Sequence, residues 1–166
     1  MIDIQELSFK YNGSQKNALE DINIHIQKGD FVGIIGESGA GKTTLCNCIN
    51  GVIPHHYNGD FYGSVKIQGE DTFDVEPGRL ALKVGSVFQD IESQLVSYFV
   101  EDELLFGLEN FGVPFEQIEN RIVNTLEDLG ISELRHREVS SLSGGQKQKV
   151  VIAAILALAQ DLLVLD

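Results

Sequence analysis

Hydrophobic and polar positions alternate along IDIQELSFKY, and the alternation returns in ALEDINIHIQ at Leu19, Ile22, Ile24 and Ile26. A period of two predicts half-buried strands. KGD reads as a turn, and the short apolar run FVGIIG after it is expected to be a strand buried on both faces. ESGAGKTTLCNCIN then opens from a glycine loop into a helix. Residues 51–60 read as loop, FYGSVKIQG as strand, RLALK as a short helix and VGSVFQ as strand. From about residue 90 the texture changes. FVEDELLFGLENFG and FEQIENRIVNTLEDLG carry helical spacing, each closed by a glycine suited to a C-cap. A helix follows Gly144 and Gly145 to about Ala159, and LLVLD is a last strand. The pattern predicts one α/β domain over 1–166 with a helical subdomain inserted at about 90–143, and no internal repeat.

Composition narrows the picture only a little. With 166 residues, 43% hydrophobic and 22% charged, the chain can bury a sizeable core. A net charge of −13 argues against sequence-independent nucleic-acid binding. The longest apolar run, 150–159, is too short for a bilayer, which needs about 20 residues. The N-terminus lacks a basic flank and apolar core, so it does not read as a signal peptide. Cys46 and Cys48 stand two apart, on different helix faces, and are expected to be small buried groups in a reducing compartment. His55 and His56 lack companion ligands at a recognisable spacing and are expected in a loop or surface role.

Candidate chemistry begins at residues 36–43. Gly36, Glu37, Ser38, Gly39, Ala40, Gly41, Lys42 and Thr43 fit G-x-x-x-x-G-K-[ST] between an expected strand and a helix, with Thr44 next. Such glycines let backbone N–H groups curl around phosphate oxygens, and the helix N-terminus adds partial positive charge. The lysine then reaches the β- and γ-phosphates, and the threonine hydroxyl coordinates Mg²⁺. Asp166 closes LLVLD, where P-loop proteins keep an aspartate that holds Mg²⁺ opposite the threonine. Gln89 follows VGSVF at another strand end, where its amide oxygen could reach Mg²⁺ or an attacking water.

A second glycine device lies at SSLSGGQKQK. Gly-Gly at a helix start costs stability, so something must need bare backbone there. Leu142 to Gln146, LSGGQ, offers N–H donors, a positive dipole end and a serine hydroxyl to an anion. With the P-loop, this stretch resembles the signature of the ATP-binding cassette (ABC) ATPases, and the resemblance covers the whole chain. It implies an ABC nucleotide-binding domain of P-loop NTPase fold, with an antiparallel β subdomain and the helical subdomain carrying the Q-loop and signature. It implies that Tyr11 stacks on adenine, that Gln89 is the Q-loop glutamine, and that Ser143, Gly144, Gly145 and Gln146 cover the γ-phosphate of a second cassette. ATP and Mg²⁺ are the implied ligands. Where many import ATPases read Q-R-Q-R-V-A-I-A-R, this chain has QKQKVVIAA, with Ala154 in place of the arginine.

GVIPHHYNG and VFQDIESQLVSYFVEDELLFGLEN look like the cobalt-type and energy-coupling-factor branch. That likeness implies a cytoplasmic ATPase, peripheral on the inner face of the cell membrane. Its partners would be a second ABC domain (as homodimer, heterodimer or tandem chain), a transmembrane coupling subunit and a substrate-capturing membrane protein. Vitamins or metal ions are the implied cargo, and no nucleic acid is a partner. Family members continue past the aspartate with a catalytic glutamate, a D-loop and a switch histidine. The chain is therefore expected to be a fragment that binds nucleotide weakly without normal turnover. Two other readings stand beside the importer. A soluble ABC ATPase of DNA maintenance would insert a long coiled coil, yet Lys42 and Leu142 are only 100 positions apart without sustained heptads. A non-hydrolysing regulatory cassette would be expected to have a damaged P-loop or signature, and both motifs are intact.

Overall fold

A computed structural model describes all residues, Met1–Asp166. The chain divides into two compact units, Met1–Lys83 with Asp166, and Val84–Leu165.

The first unit is built on a four-stranded antiparallel sheet of order β2-β1-β3-β4. The strands are β1 (Ile2–Tyr11), β2 (Leu19–Ile26), β3 (Gly59–Ile67) and β4 (Glu70–Asp71). The alternation seen in the sequence is the cause. Ile2, Ile4, Leu7 and Phe9 of β1 are all at most 2% exposed, and Val65 and Ile67 of β3 are fully buried beside them. Burying each such side chain contributes about 1.5–3 kcal/mol. Helix α1 (Lys42–Ile49) buries Leu45, Cys46, Cys48 and Ile49. Both cysteines are free, and burial pushes the Cys48 thiol up to about 12. Residues 51–60, expected as loop, contain the short helical turn α2 (Val52–His55) and the start of β3. Helix α3 (Pro77–Ala81) begins with proline at its first turn, where no N–H is needed.

The apolar run at 31–36 does not form the buried strand expected of it. Neither sheet includes it, and Phe31 and Ile35 are 100% and 95% exposed. Apolar side chains supply a face to bury, but a strand also needs neighbours for its backbone N–H and C=O groups. No strand of the first unit lies along this segment.

The second unit combines a parallel pair, β5 (Val84–Val87) with β6 (Leu162–Leu165), and three helices: α4 (Val100–Asn110), α5 (Phe115–Asp128) and α6 (Gly144–Ala157). Apolar residues at helical spacing meet in one core: Val100, Leu104 and Leu108, then Ile118, Ile122 and Leu126, then Val150, Ala153 and Ala157. Helices α4 and α5 end as their glycines predict. Gly112 and Gly130 take positive φ of 67 and 61, and the amides of Val113 and Ile131 reach back to Leu108 and Leu126 carbonyls.

Candidate functional site: two glycine loops at helix N-termini

The loop at 36–41 owes its path to two glycines in the left-handed region, Gly39 at φ 82 and Gly41 at φ 91. A Cβ on Gly41 would also run into the Ala18 carbonyl oxygen. Gly41 is the N-cap of α1, and no side chain caps that end. The head of the helix therefore keeps its orphan N–H groups and positive dipole for whatever enters the loop. Lys42 spans the loop from within, its Nζ donating to the carbonyls of Gly36 (2.9 Å) and Glu37 (2.8 Å). The Thr43 hydroxyl donates to the Asp166 carboxylate at 2.9 Å, across 123 positions of sequence. Two hard oxygens at this separation suit a divalent cation such as Mg²⁺.

Tyr11 lies beside this loop. Its hydroxyl is 3.1 Å from the Thr44 hydroxyl, one residue beyond Thr43. The first unit thus gathers Tyr11, residues 36–44 and Asp166. Gln89 and the signature residues belong to the second unit.

At the signature, Ser143 stands as N-cap of α6 in extended backbone. Its hydroxyl oxygen accepts from the Gln146 amide at 3.4 Å, while the Gln146 side-chain oxygen accepts from the Ser143 amide at 2.9 Å. This is a capping box, a role the S-x-x-Q spacing signals and the anion reading of these residues missed. The serine accepts in that bond, so its own O–H can still donate outward. Gly144 and Gly145 are exposed, and a Cβ on either would meet nothing within 4 Å. No internal packing accounts for them.

Gln89 is exposed just past β5. The segment after it is tied at three points that the sequence reading did not single out. Gln94 accepts from the Phe88 amide at 2.8 Å and donates to the Ser86 carbonyl at 3.2 Å. Glu103, 6% exposed, accepts from the amides of Val96 and Ser97 at 3.0 and 2.7 Å. Lys147 of the signature helix pairs with Glu92 at 2.6 Å. Each link joins residues that no local sequence pattern connects.

The ABC transporter family profile matches residues 19–166. The chain belongs to the ABC transporter family. Its fold is that of the family's ATPases, an α/β P-loop NTPase with an antiparallel sheet and helices. A Treponema denticola protein named as an ABC transporter ATP-binding protein is 45% identical over the whole chain, which spans 34% of that protein. A Pyrococcus abyssi relative of the same description is 42% identical, and the chain spans 59% of it. Among solved structures, cbiO1 of Clostridium perfringens, part of the ABC transporter complex cbiONQ, matches 99% of this ABC chain at 32% identity and a TM-score of 0.85, with 64% of cbiO1 covered. The dimeric ABC cassette MJ0796 is 27% identical over all of this chain and 73% of its own, with a TM-score of 0.82. A post-hydrolysis dimer of MJ0796 holds ADP and Pi.

Proposed function

We propose that this chain belongs to an ATP-binding and hydrolysing subunit that powers a membrane importer of vitamins or metal ions, of the energy-coupling-factor type. The observation that carries the reading is the empty space before Gly144 and Gly145 on a self-capped helix, in a chain that also holds a P-loop. Bare glycines at a helix N-terminus keep a path open for a phosphate arriving from elsewhere. A second cassette supplies it, as homodimer, heterodimer or tandem domain, and the MJ0796 dimers support that arrangement. The cbiO1 likeness supports a transmembrane coupling subunit and a substrate-capturing membrane protein as further partners. No helix here is long and apolar enough to cross a membrane; the cbiO1 likeness supports a peripheral place on the inner face. Helices α4 and α5, 11 and 14 residues long, stand where DNA-maintenance ATPases would need a long coiled coil.

In this reading the loop amides of residues 37–43 wrap the ATP phosphates. Lys42 exchanges its bonds to the Gly36 and Glu37 carbonyls for phosphate oxygens, a short movement because it already spans the loop. Thr43 and Asp166 would hold Mg²⁺, with Gln89 brought in on closure. The metal, when bound, neutralises charge on the β- and γ-oxygens. Tyr11 packs on the base. The signature of the partner cassette adds Ser143, Gly144, Gly145 and Gln146 over the γ-phosphate, so that the attacking water is aligned only when two cassettes meet.

The test separates the loops in the full-length protein that carries these residues. Lys42→Ala is expected to lose ATP binding and at least about 100-fold in hydrolysis. Gly144→Val is expected to lose hydrolysis while binding ATP as the wild type does. Equal loss of binding in both variants, by equilibrium dialysis, would place signature and P-loop in one pocket and end this account.

A further inference from the structure

We propose that Tyr57 is a second nucleobase-contacting residue, forming with Tyr11 an aromatic corner that grips the base of the bound nucleotide. The assignment rests on the nucleotide-site reading above and adds a residue to it. Tyr57 is 49% exposed, and its ring stands 6.1 Å from that of Tyr11 at an interplanar angle of 83°. Tyr11 also packs on the buried ring of Phe9, 4.8 Å away at 82°, and is tied at its tip to Thr44. Two tyrosines at right angles, one fixed and one half in solvent, offer a face and a wall to a flat π-system.

The segment that presents Tyr57 is anchored on several sides. His56 and Tyr57 amides both return to the Val52 carbonyl, at 2.8 and 3.3 Å. His55 Nε2 is 2.9 Å from the Thr72 carbonyl oxygen, and Ile53 is fully buried. Beyond Tyr57, the Asn12 amide donates to the Asn58 carbonyl, and Gly59 pairs with Tyr11 in the β1–β3 ladder. Gly59 is needed there, because a Cβ would press on the Phe9 ring at 2.7 Å. The segments that carry the two tyrosines are thus joined through the backbones of Asn12, Asn58 and Gly59.

A nucleotide is the occupant this corner fits. The Tyr11 hydroxyl meets the residue next to Thr43, so the two tyrosines stand close to the first turn of the helix that follows the phosphate loop. A ligand with phosphates at one end and a flat ring at the other joins the two features. Rings read the π-face and not the base edge, so the corner favours a base without selecting adenine over guanine.

The experiment uses the full-length protein and calorimetric titration with ATP, GTP and inorganic tripolyphosphate in Mg²⁺ buffer. Tyr57→Ala is expected to weaken ATP and GTP about tenfold each and to leave tripolyphosphate within about twofold of wild type. Tyr57→Phe is expected to restore both nucleotides. Unchanged ATP affinity in Tyr57→Ala would overturn the proposal. So would parallel loss of ATP and tripolyphosphate, which marks a folding defect, or failure of phenylalanine to rescue. Lys42→Ala serves as the control. If it abolishes binding of all three ligands while Tyr57→Ala changes nothing, the corner falls and the P-loop reading stands. If Lys42→Ala leaves ATP bound, the underlying reading falls first.

Discussion

At the head of α1, Gly41 sits at φ 91 with a backbone oxygen where a Cβ would need to go, and no side chain caps the helix. At the head of α6, Gly144 and Gly145 lie inside the first turn with open space before them, and Ser143 and Gln146 cap the helix reciprocally. Both ends begin with glycine, yet the glycines answer different demands. In the first loop they serve the chain's own path, and the polar groups around them are already joined in pairs, Lys42 to the loop carbonyls and Thr43 to Asp166. In the second they serve nothing within the chain. In the proposed function, the first loop serves a ligand held by this chain and the second serves one held by another cassette.

The largest expected effect comes from one substitution made at both ends. Gly41→Ala forces a side chain into the left-handed region and against the Ala18 carbonyl, and is expected to cost about 2–4 kcal/mol. Gly144→Ala meets no neighbour in a helical first turn and is expected to stabilise the fold by up to about 1 kcal/mol. Urea unfolding of both variants checks the pair. Equal destabilisation would show that Gly144 has a structural duty of its own and would erase the contrast.

A smaller effect isolates the cap. Ser143→Ala removes the oxygen that accepts from Gln146 and is expected to cost about 1 kcal/mol, read as a lower denaturation midpoint. Ser143→Asp keeps an acceptor there and should recover that stability. In the proposed function it should nevertheless lose hydrolysis, because a carboxylate would face the incoming phosphate. Stability and activity would then part company at one residue, as they cannot if Ser143 is only a cap.

The sequence made these two loops visible because both are local. Residues 36–43 and 142–146 are short strings whose spacing carries the geometry, and the strand and helix periods around them are equally local. Helices α4 and α5 could be read to their closing glycines for the same reason. The capping box is equally local, as S-x-x-Q at Ser143 and Gln146. What could not be read depends on partners far away in sequence. Residues 31–36 are apolar enough for a buried strand, but strandedness is a property of a pair, and no local pattern reveals whether the neighbour is present. Gln94 and Glu103 look like ordinary polar residues until the fold turns their side chains onto backbone amides. Tyr57 lies in GVIPHHYNG, a stretch that stands out by family likeness, while its approach to Tyr11 arises only where β1 and β3 pair.

The smallest effect tests whether the second unit is stabilised independently of either loop. Arg135 bridges the α4 and α5 faces by pairing with Glu101 at 2.5 Å and Glu119 at 2.7 Å, and His136 Nδ1 lies 3.0 Å from the other Glu101 oxygen. The bond from Arg135 holds both carboxyls below their ordinary value of 4.5. A carboxyl depressed in the folded state contributes stability above its unfolded value and loses that contribution as the pH falls through the folded one. Glu119 is largely in solvent, so screening keeps the contribution modest. Arg135→Met is therefore expected to lower the melting midpoint by about 1–3 °C near pH 7, with the difference narrowing below pH 4.5 as both glutamates protonate. A difference that stays constant from pH 7 down to acid would assign the loss to packing of the arginine stem and not to its charge. Nucleotide binding should be unchanged at neutral pH. A loss there would mean that the Arg135 ion pairs bear on the nucleotide site as well as on the stability of their own unit.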